Sequence, residues 1–461
     1  MSNQPKPVFT FGIEETLTAL DGRNRHKLEP LLPYLSELTM NKYRVLVEVW
    51  YLQHLSKYGV IRKLTIAENK ILQKLAEEFN SVDYRKVRQI ERVTNHEMKA
   101  VEGYIQQSLQ KTSLNDVTEM IHFGLTTDDI NNIVYALMIK NSLHNVLIPE
   151  IEKGLVLIKE KANQYKKIPM LGRTHGQPAA PTTLGKEFFV YYKRLSNELK
   201  LLKSLQFSAK LTGNTGNLNA HKFIYPDVNW LKFSKEFIDS IELTPDFATT
   251  QIQPYDSLIR VFDSMRRINN IFLGMCVDLW IYISYNYFKQ KVVSAETGST
   301  ALPHKVNPIY LEGAEGGFGI ANALFEFYSR KLARTRMQRD LSDSTVRRSV
   351  NIALAYSLLS YQSIPEALKR IEPNRDVILN DLNSHWEVLS EAIQNFLRYK
   401  NYQNAYDKTK SFFRGKVITS KDVEVFIQDL DIDKKDKEFL SKLTPSEYTG
   451  YAEEIVTHYA K

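Results

Sequence analysis

LIRVFDSMRRINNIFLGMCVDLWIYISYNYFK, Leu258 to Lys289, admits two incompatible readings. From Ile268 to Phe288 it is apolar for about the length that spans a bilayer, with Asp278 its only charge. Asn269, Asn270, Ser284 and Asn286 interrupt that run. Upstream, Leu258, Phe262 and Met265 fall on one helical face. A helix apolar on all sides also occurs in the core of a large protein or oligomer. No other segment is membrane-like. The proline-free stretch therefore predicts one buried helix, roughly 45 Å long at about 1.5 Å per residue.

Outward from it the pattern stays helical. Phe188, Tyr192, Leu195, Leu199 and Leu202 form a heptad-like stripe. Leu147, Ile151, Leu155, Ile158 and Ala162 form another, with Pro149 expected in the first turn of its helix. Period-2 alternation is scarce, so a sheet-based core is not expected. Long helices separated by short polar breaks indicate a bundle. The breaks are expected at Leu171–Ala180, Thr212–Ala220, Ser294–Pro308 and Leu341–Thr345. From about Glu372 the chain turns more charged, and Asp431–Lys437 reads as a solvated loop of a peripheral helical domain.

Composition bounds the function. The chain has 461 residues, 43% hydrophobic and 25% charged, which fits a globular protein of about three domains and excludes disorder as a theme. A net charge of +8 and a pI near 9.1 favour anionic partners, nucleic acid or a small polyanion. The basic residues are mixed with acids throughout, whereas an RNA-binding protein needs a basic stripe or stacking aromatics. Cys276 is the only cysteine, which rules out an intramolecular disulfide or a cysteine zinc cluster. Met1–Phe11 has one lysine and no apolar core of signal-peptide length, so a cytoplasmic location is expected.

Four polar segments carry groups able to do chemistry. In Thr297–Pro308, glycine, two hydroxyls, Lys305 and Asn307 lie between helical patterns; backbone N–H groups there can cradle an anion. In Gly172–Pro178, His175 sits between glycines, where it can be a general acid or base or an ordinary turn histidine. In Ile121–Asn132, Thr126 and Thr127 precede two aspartates and make a good helix N-cap. In Met337–Arg348, Arg339 and Arg348 flank hydroxyls at a helix start, either a phosphate site or a salt-bridged surface.

Together these segments resemble a known family. The Gly298–Asn307 loop is similar to the G-S-S-x-M-P-x-K-x-N signature of the fumarase/aspartase superfamily. Arg173–Ala179, Gln338–Asp340 and Asp343–Thr345 resemble its adenylosuccinate lyase branch, in the bacterial form with a long third domain. Asp21–Arg23, Thr94–His96, Gly216–Asn217, Asn219–His221 and Thr249–Ile252 extend the likeness, in order, from about residue 20 onward.

The resemblance implies an all-α, three-domain fold: residues 1–120, a central long-helix bundle at 121–371, and 372–461. It also implies a homotetramer with a twenty-helix core and active sites shared between subunits. The implied reaction is β-elimination of fumarate from adenylosuccinate, giving AMP, and from succinyl-aminoimidazole-carboxamide ribotide. No cofactor, metal, nucleic acid or membrane is implied. By the same similarity Ser299 is the general base and His175 the general acid. Lys305 and Asn307 bind the succinyl carboxylates, and Arg339, Ser344 and Arg348 hold phosphate, with Arg23 and Asn24 at that end. Asn95, His96, Glu97, Thr126, Thr127 and Gln251 line the rest.

The sequence departs from the pattern at Asn24 (Tyr usual), Glu97 (Asp), Thr300 (Ser), Leu302 (Met) and Gly313 (Asn). An argininosuccinate-type substrate has no phosphate for the arginine cluster. A non-catalytic paralogue has no need of Ser299 and His175.

Overall fold

The computed structural model describes residues 16–293 and 301–459, which are mainly helical. In chain order, the elements that bear on the site begin with helices α1 (Glu37–Lys57), α2 (Glu97–Leu109), α3 (Thr127–Ser142) and α4 (Ile148–Tyr165). Strands β1 (Pro169–Thr174) and β2 (Gln177–Thr183) follow, then α5 (Leu184–Ser204), α6 (Asp256–Ser284) and strand β3 (Phe288–Gln290). The series ends with α7 (Ile309–Leu332), α8 (Ser342–Arg347), α9 (Val350–Lys369), strand β4 (Ile371–Pro373) and α10 (Arg375–Asn383). Sheet is confined, among the described residues, to three two-stranded pairs.

The chain divides into two compact units. The first holds the described residues of Met1–Glu150 with Leu199–Asn269 and Gly317–Leu359. The second holds Ile151–Glu198, Asn270–Gly316 and the described residues of Ser360–Lys461.

In the first unit α1 packs against α3. Val45, Val49, Leu52 and Leu55 of α1 are buried, as are Ile130, Ile133, Val134 and Leu137 of α3. The start of α3 is set locally: Asp129 Oδ2 accepts the Thr126 N–H at 2.8 Å, half of the reciprocal cap expected for this segment. Beyond its far end, Pro149 falls in the first turn of α4, as expected. The helix is already running there, and a π-helical turn, Leu143–Leu147, leads into α4. Proline lacks the N–H that would bond four residues back, and the widened turn absorbs that loss.

Helix α6 has 29 residues, about 44 Å, and buries Leu258, Phe262, Met265, Ile268, Phe272 and Met275. Trp280 and Ile281 stay exposed, so this helix is not buried all round within the chain. It also stops short of Lys289. Asn286 takes a left-handed φ of 58°, and β3 then pairs antiparallel with β4. Among the described residues no helix is long and apolar enough to cross a membrane.

The second unit corrects the break at Leu171–Ala180. It is a β-hairpin, with Arg173 opposite Pro178 and Thr174 opposite Gln177, leaving a two-residue loop. Leu171 of β1 belongs to a core that includes Leu382, Leu389, Ile393, Phe413 and Phe426. Two further expectations shift. Leu341–Thr345 is not a break, because α8 begins at Ser342, and the second half of Asp431–Lys437, read as a solvated loop, is the start of a helix, Lys434–Leu440.

Candidate active site

The candidate residues form two sets, one in each unit. The first centres on α8. Arg339 precedes it, Ser344 lies in it and Arg348 caps it. The turn carrying Arg339 is pinned by Asp340, whose carboxylate accepts the Ser342 N–H at 2.9 Å and the Arg336 N–H at 3.1 Å. The Ser342 hydroxyl donates to the same carboxylate, and these bonds hold its pKa down to about 2.

Both flanking arginines already rest on neighbours. Arg348 pairs with Glu97, whose other oxygen receives Arg44 at 2.7 Å. Burial pushes the Glu97 carboxyl upward, but Arg44 and then Arg348 outweigh it and lower its pKa. Arg339 donates to Gln251 Oε1 at 3.4 Å, and Gln251 donates to Asn214 Oδ1 at 2.6 Å. Asn95, His96 and Glu97 stand together where α2 begins. Asn95 is left-handed at φ 50°, and His96 Nδ1 accepts the Lys99 N–H at 3.1 Å. Thr126 and Thr127, half-buried, head α3. Arg23 is exposed in the turn before Arg25–Leu28, and Asn24 is half-buried beside it. Neither bonds to another candidate among the described residues.

Several groups next to this set escaped the sequence reading. Arg347, Asp128 and Asp343 form a buried ionic cluster behind Arg339. His122 Nδ1 lies 2.5 Å from Glu48 Oε1, and Glu48 Oε2 accepts the His122 N–H at 3.2 Å. Burial works against the imidazolium, but the Glu48 carboxylate wins and raises the histidine's pKa. Lys210 and Asp129 make a fully buried pair at 2.9 Å, and Asp129 Oδ1 also accepts the Thr212 and Gly213 N–H groups. Only Asp343–Arg347 and Arg339–Asp343 had a local signal, the i,i+4 spacing.

The second set is built differently. His175 and Gly176 are the two loop residues of the β1–β2 hairpin, with φ of 53° and 72°. Two successive positive φ values describe the primed hairpin turn that matches strand twist. Glycine tolerates its place there. For His175 the conformation costs of order 1 kcal/mol and holds the imidazole out at an exposed tip. Gly172 lets the strands close, since a Cβ there would lie 2.4 Å from the Ala180 carbonyl oxygen.

The base of the hairpin is clamped. Arg173 donates to Tyr287 Oη at 2.8 Å and to Asp381 Oδ2 at 2.8 Å, and Tyr287 also donates to Asp381. Lys305 is exposed in a turn closed by its N–H on the Leu302 oxygen at 3.0 Å. Asn307 lines a small cavity with Gln290, Tyr310 and Arg370. Gly313 is exposed near the start of α7, where an added Cβ meets nothing within 4 Å. Ser299 and Thr300 lie outside the described residues.

Comparisons with known proteins bear on the chain as a whole. A family model described as "Lyase" matches residues 32–320, and one described as "Adenylosuccinate lyase C-terminal" matches residues 335–449. A protein of Legionella pneumophila named adenylosuccinate lyase is 42% identical over 451 residues, 96% of this chain and 99% of its own length. One of the same name from Dictyostelium discoideum is 43% identical over 448 residues, 94% of this chain and 96% of its own. The crystal structure of a fumarate lyase from Mesorhizobium sp. BNC1 matches with a TM-score of 0.75 at 15% identity. That match covers 94% of this chain and 97% of the other, and it is a likeness of fold.

Proposed function

The chain belongs to the adenylosuccinate lyase family, and on that footing we propose that it is a carbon–nitrogen lyase of purine biosynthesis that releases fumarate. Its substrates are adenylosuccinate, which yields AMP, and succinyl-aminoimidazole-carboxamide ribotide. Ser299 takes a proton from the carbon beside a succinyl carboxylate. The electron pair left behind becomes the double bond of fumarate as the C–N bond breaks, and His175 delivers a proton to the departing nitrogen. A serine hydroxyl is a weak base unless activated. Lys305 and backbone N–H groups of its loop stabilise the anionic form and the charge that develops on the carboxylate. Asn307 binds the succinyl end with Lys305. Asn95, His96, Glu97, Thr126, Thr127 and Gln251 line the pocket.

The observation that carries the phosphate assignment is the pair of arginines around α8. Arg339 and Arg348 flank Ser344, and both rest on a resident carboxylate or amide. A cluster of this kind suits a planar or tetrahedral anion. We assign Arg23 and Asn24 to the same end. An argininosuccinate-type substrate has nothing for these arginines to hold.

The site is completed by assembly. Trp280 and Ile281 on α6, and Ile309, Ile320 and Phe327 on α7, are large apolar side chains left exposed. We assign them to helix packing in a homotetramer whose active sites draw on several subunits. The companion proposals are a three-part division at residues 1–120, 121–371 and 372–461, and a cytoplasmic location. A spectrophotometric assay of adenylosuccinate cleavage tests the function, with wild type, Ser299→Ala and His175→Ala side by side. The expected result is wild-type turnover that falls by orders of magnitude in both variants. A folded wild type that binds AMP without turning over adenylosuccinate rejects it. A sizing measurement checks the tetramer.

A further inference from the structure

Arg347 and Arg348 are neighbours with opposite surroundings. Arg348 is half exposed and rests on Glu97, whereas the Arg347 side chain is 2% exposed. The Arg347 guanidinium meets Asp128 Oδ1 at 2.9 Å and Asp343 Oδ2 at 3.0 Å. It lies over the rings of Tyr135, at 4.9 Å, and Tyr255, at 5.3 Å. Asp128 and Tyr135 are two turns apart on one face of α3, so Arg347 lies along the start of that helix. Asp343 does more than pair with it. The same carboxylate accepts the Tyr255 hydroxyl at 2.6 Å and stands 3.5 Å from Arg339 Nε.

A continuous chain of contacts therefore runs from the first turn of α3, which carries Thr126 and Thr127, to Arg339. Its links are Asp128, Arg347 and Asp343. Stability is a poor reason for such an arrangement. Taking a guanidinium and two carboxylates out of water costs about as much as their attraction returns, and apolar residues of equal volume often do as well. What the cluster supplies is geometry. A planar guanidinium that meets both carboxylates through its Nη2 and lies over two rings is held in one orientation, and that orientation fixes Asp343.

We propose that Arg347 is a positioning residue for the anionic end of the substrate. It locks α8 and the Arg339 turn against the head of α3, and thereby sets affinity without touching the reacting atoms. The inference rests on the phosphate assignment made above. Its test uses the full chain with Arg347→Met, Arg347→Lys and the double variant Asp128→Asn/Arg347→Met.

For Arg347→Met we expect KM for adenylosuccinate to rise about 10- to 100-fold, with kcat within about threefold of wild type. The AMP dissociation constant, read by calorimetry, rises in step. Arg347→Lys keeps the charge without the planar group that lies over the two rings, and falls between wild type and Arg347→Met. The double variant removes the charge left unpaired by the single one, so its melting temperature recovers while KM stays high. Recovery of KM together with melting temperature overturns the proposal, because the role is then structural only. A fall in kcat at unchanged KM overturns it as well. If wild type binds AMP but does not turn over adenylosuccinate, the function proposed above has failed. The AMP affinities of the variants then still decide the role of Arg347.

Discussion

The arginine cluster around α8 and the tip of the β1–β2 hairpin solve opposite problems. Around α8 the charged groups are embedded: Arg347, Asp128 and Asp343 are buried, and Arg339 and Arg348 each have a resident partner. At the hairpin only the base is tied, by Arg173 on Tyr287 and Asp381, and His175 stands exposed in a left-handed conformation. One region holds charge in a fixed array at the cost of desolvation. The other holds a single imidazole at the end of a short lever, with backbone strain in place of burial. Binding a polyanion needs the first kind of construction, and moving a proton needs the second. The two should therefore separate cleanly under mutation.

The largest separation is expected at His175. Replacement by alanine should lower kcat by about 10²- to 10⁴-fold, the usual worth of a positioned acid, and leave the AMP dissociation constant unchanged. Steady-state kinetics and calorimetry on the same preparation check both halves. Equal losses of kcat and AMP affinity would break the comparison, because the tip would then belong to the binding array.

The first unit, which holds the embedded cluster, should show its own weakness in acid, at a buried histidine outside that cluster. His221 is buried, and its Nε2 lies 2.9 Å from Tyr51 Oη, whose proton goes to the Phe123 oxygen at 2.7 Å. Nε2–H is thus the donor, and Nδ1 is buried without a partner. Burial lowers the histidine's pKa from 6.5 to about 4, against a small opposing pull from Asp129. The unfolded chain takes up this proton more readily than the folded one. The stability contributed by neutral His221 is complete above pH 6.5 and is lost as pH falls toward 4, by about 2–3 kcal/mol. Denaturant melts at pH 7, 5 and 4 should show a shallower acid decline for His221→Phe. Parallel declines in variant and wild type would remove His221 from the account.

What was legible in the sequence follows the same divide between local and distant causes. The stripes of α4, α5 and α6, the cap at Thr126 and the hydroxyls at the start of α8 are local patterns, and the folded chain has them. The end of α6 was not legible. Tyr287 and Phe288 continue the apolar run, and only the left-handed Asn286 and pairing with Ile371–Pro373 turn the chain into a strand. The hairpin was hidden because His-Gly is not a usual primed-turn pair. The His122–Glu48 contact joins residues far apart in sequence, so no spacing rule finds it. Arg347 was passed over because, in sequence, nothing separates it from Arg348. Burial makes the difference, and burial is a property of the packed fold.

A smaller kinetic effect is expected where the hairpin strands close. Gly172→Val puts a Cβ 2.4 Å from the Ala180 oxygen and must push the strands apart below the His175 tip. A displacement of about an ångström at the reacting group costs on the order of 10- to 100-fold in kcat. AMP affinity should not move. If it does, the hairpin and the arginine cluster are coupled, and the comparison needs a shared element.

The smallest effect, and the one with the least obvious sign, concerns Glu97. Its carboxylate holds Arg348 while anchored by Arg44, so an incoming phosphate competes with a charge already in place. Glu97→Gln keeps a hydrogen-bond acceptor for Arg44 and removes the competing charge. AMP and inorganic phosphate should then bind more tightly, by about 3- to 10-fold, the worth of one partly exposed ion pair. The gain should shrink with added salt. It should vanish in the Glu97→Gln/Arg348→Ala double variant, because Arg348 is the group released. Weaker binding in Glu97→Gln would mean that the carboxylate itself orders the pocket. The array around α8 would then be an arrangement that only its full set of charges maintains, and not a preformed site waiting behind a counter-ion.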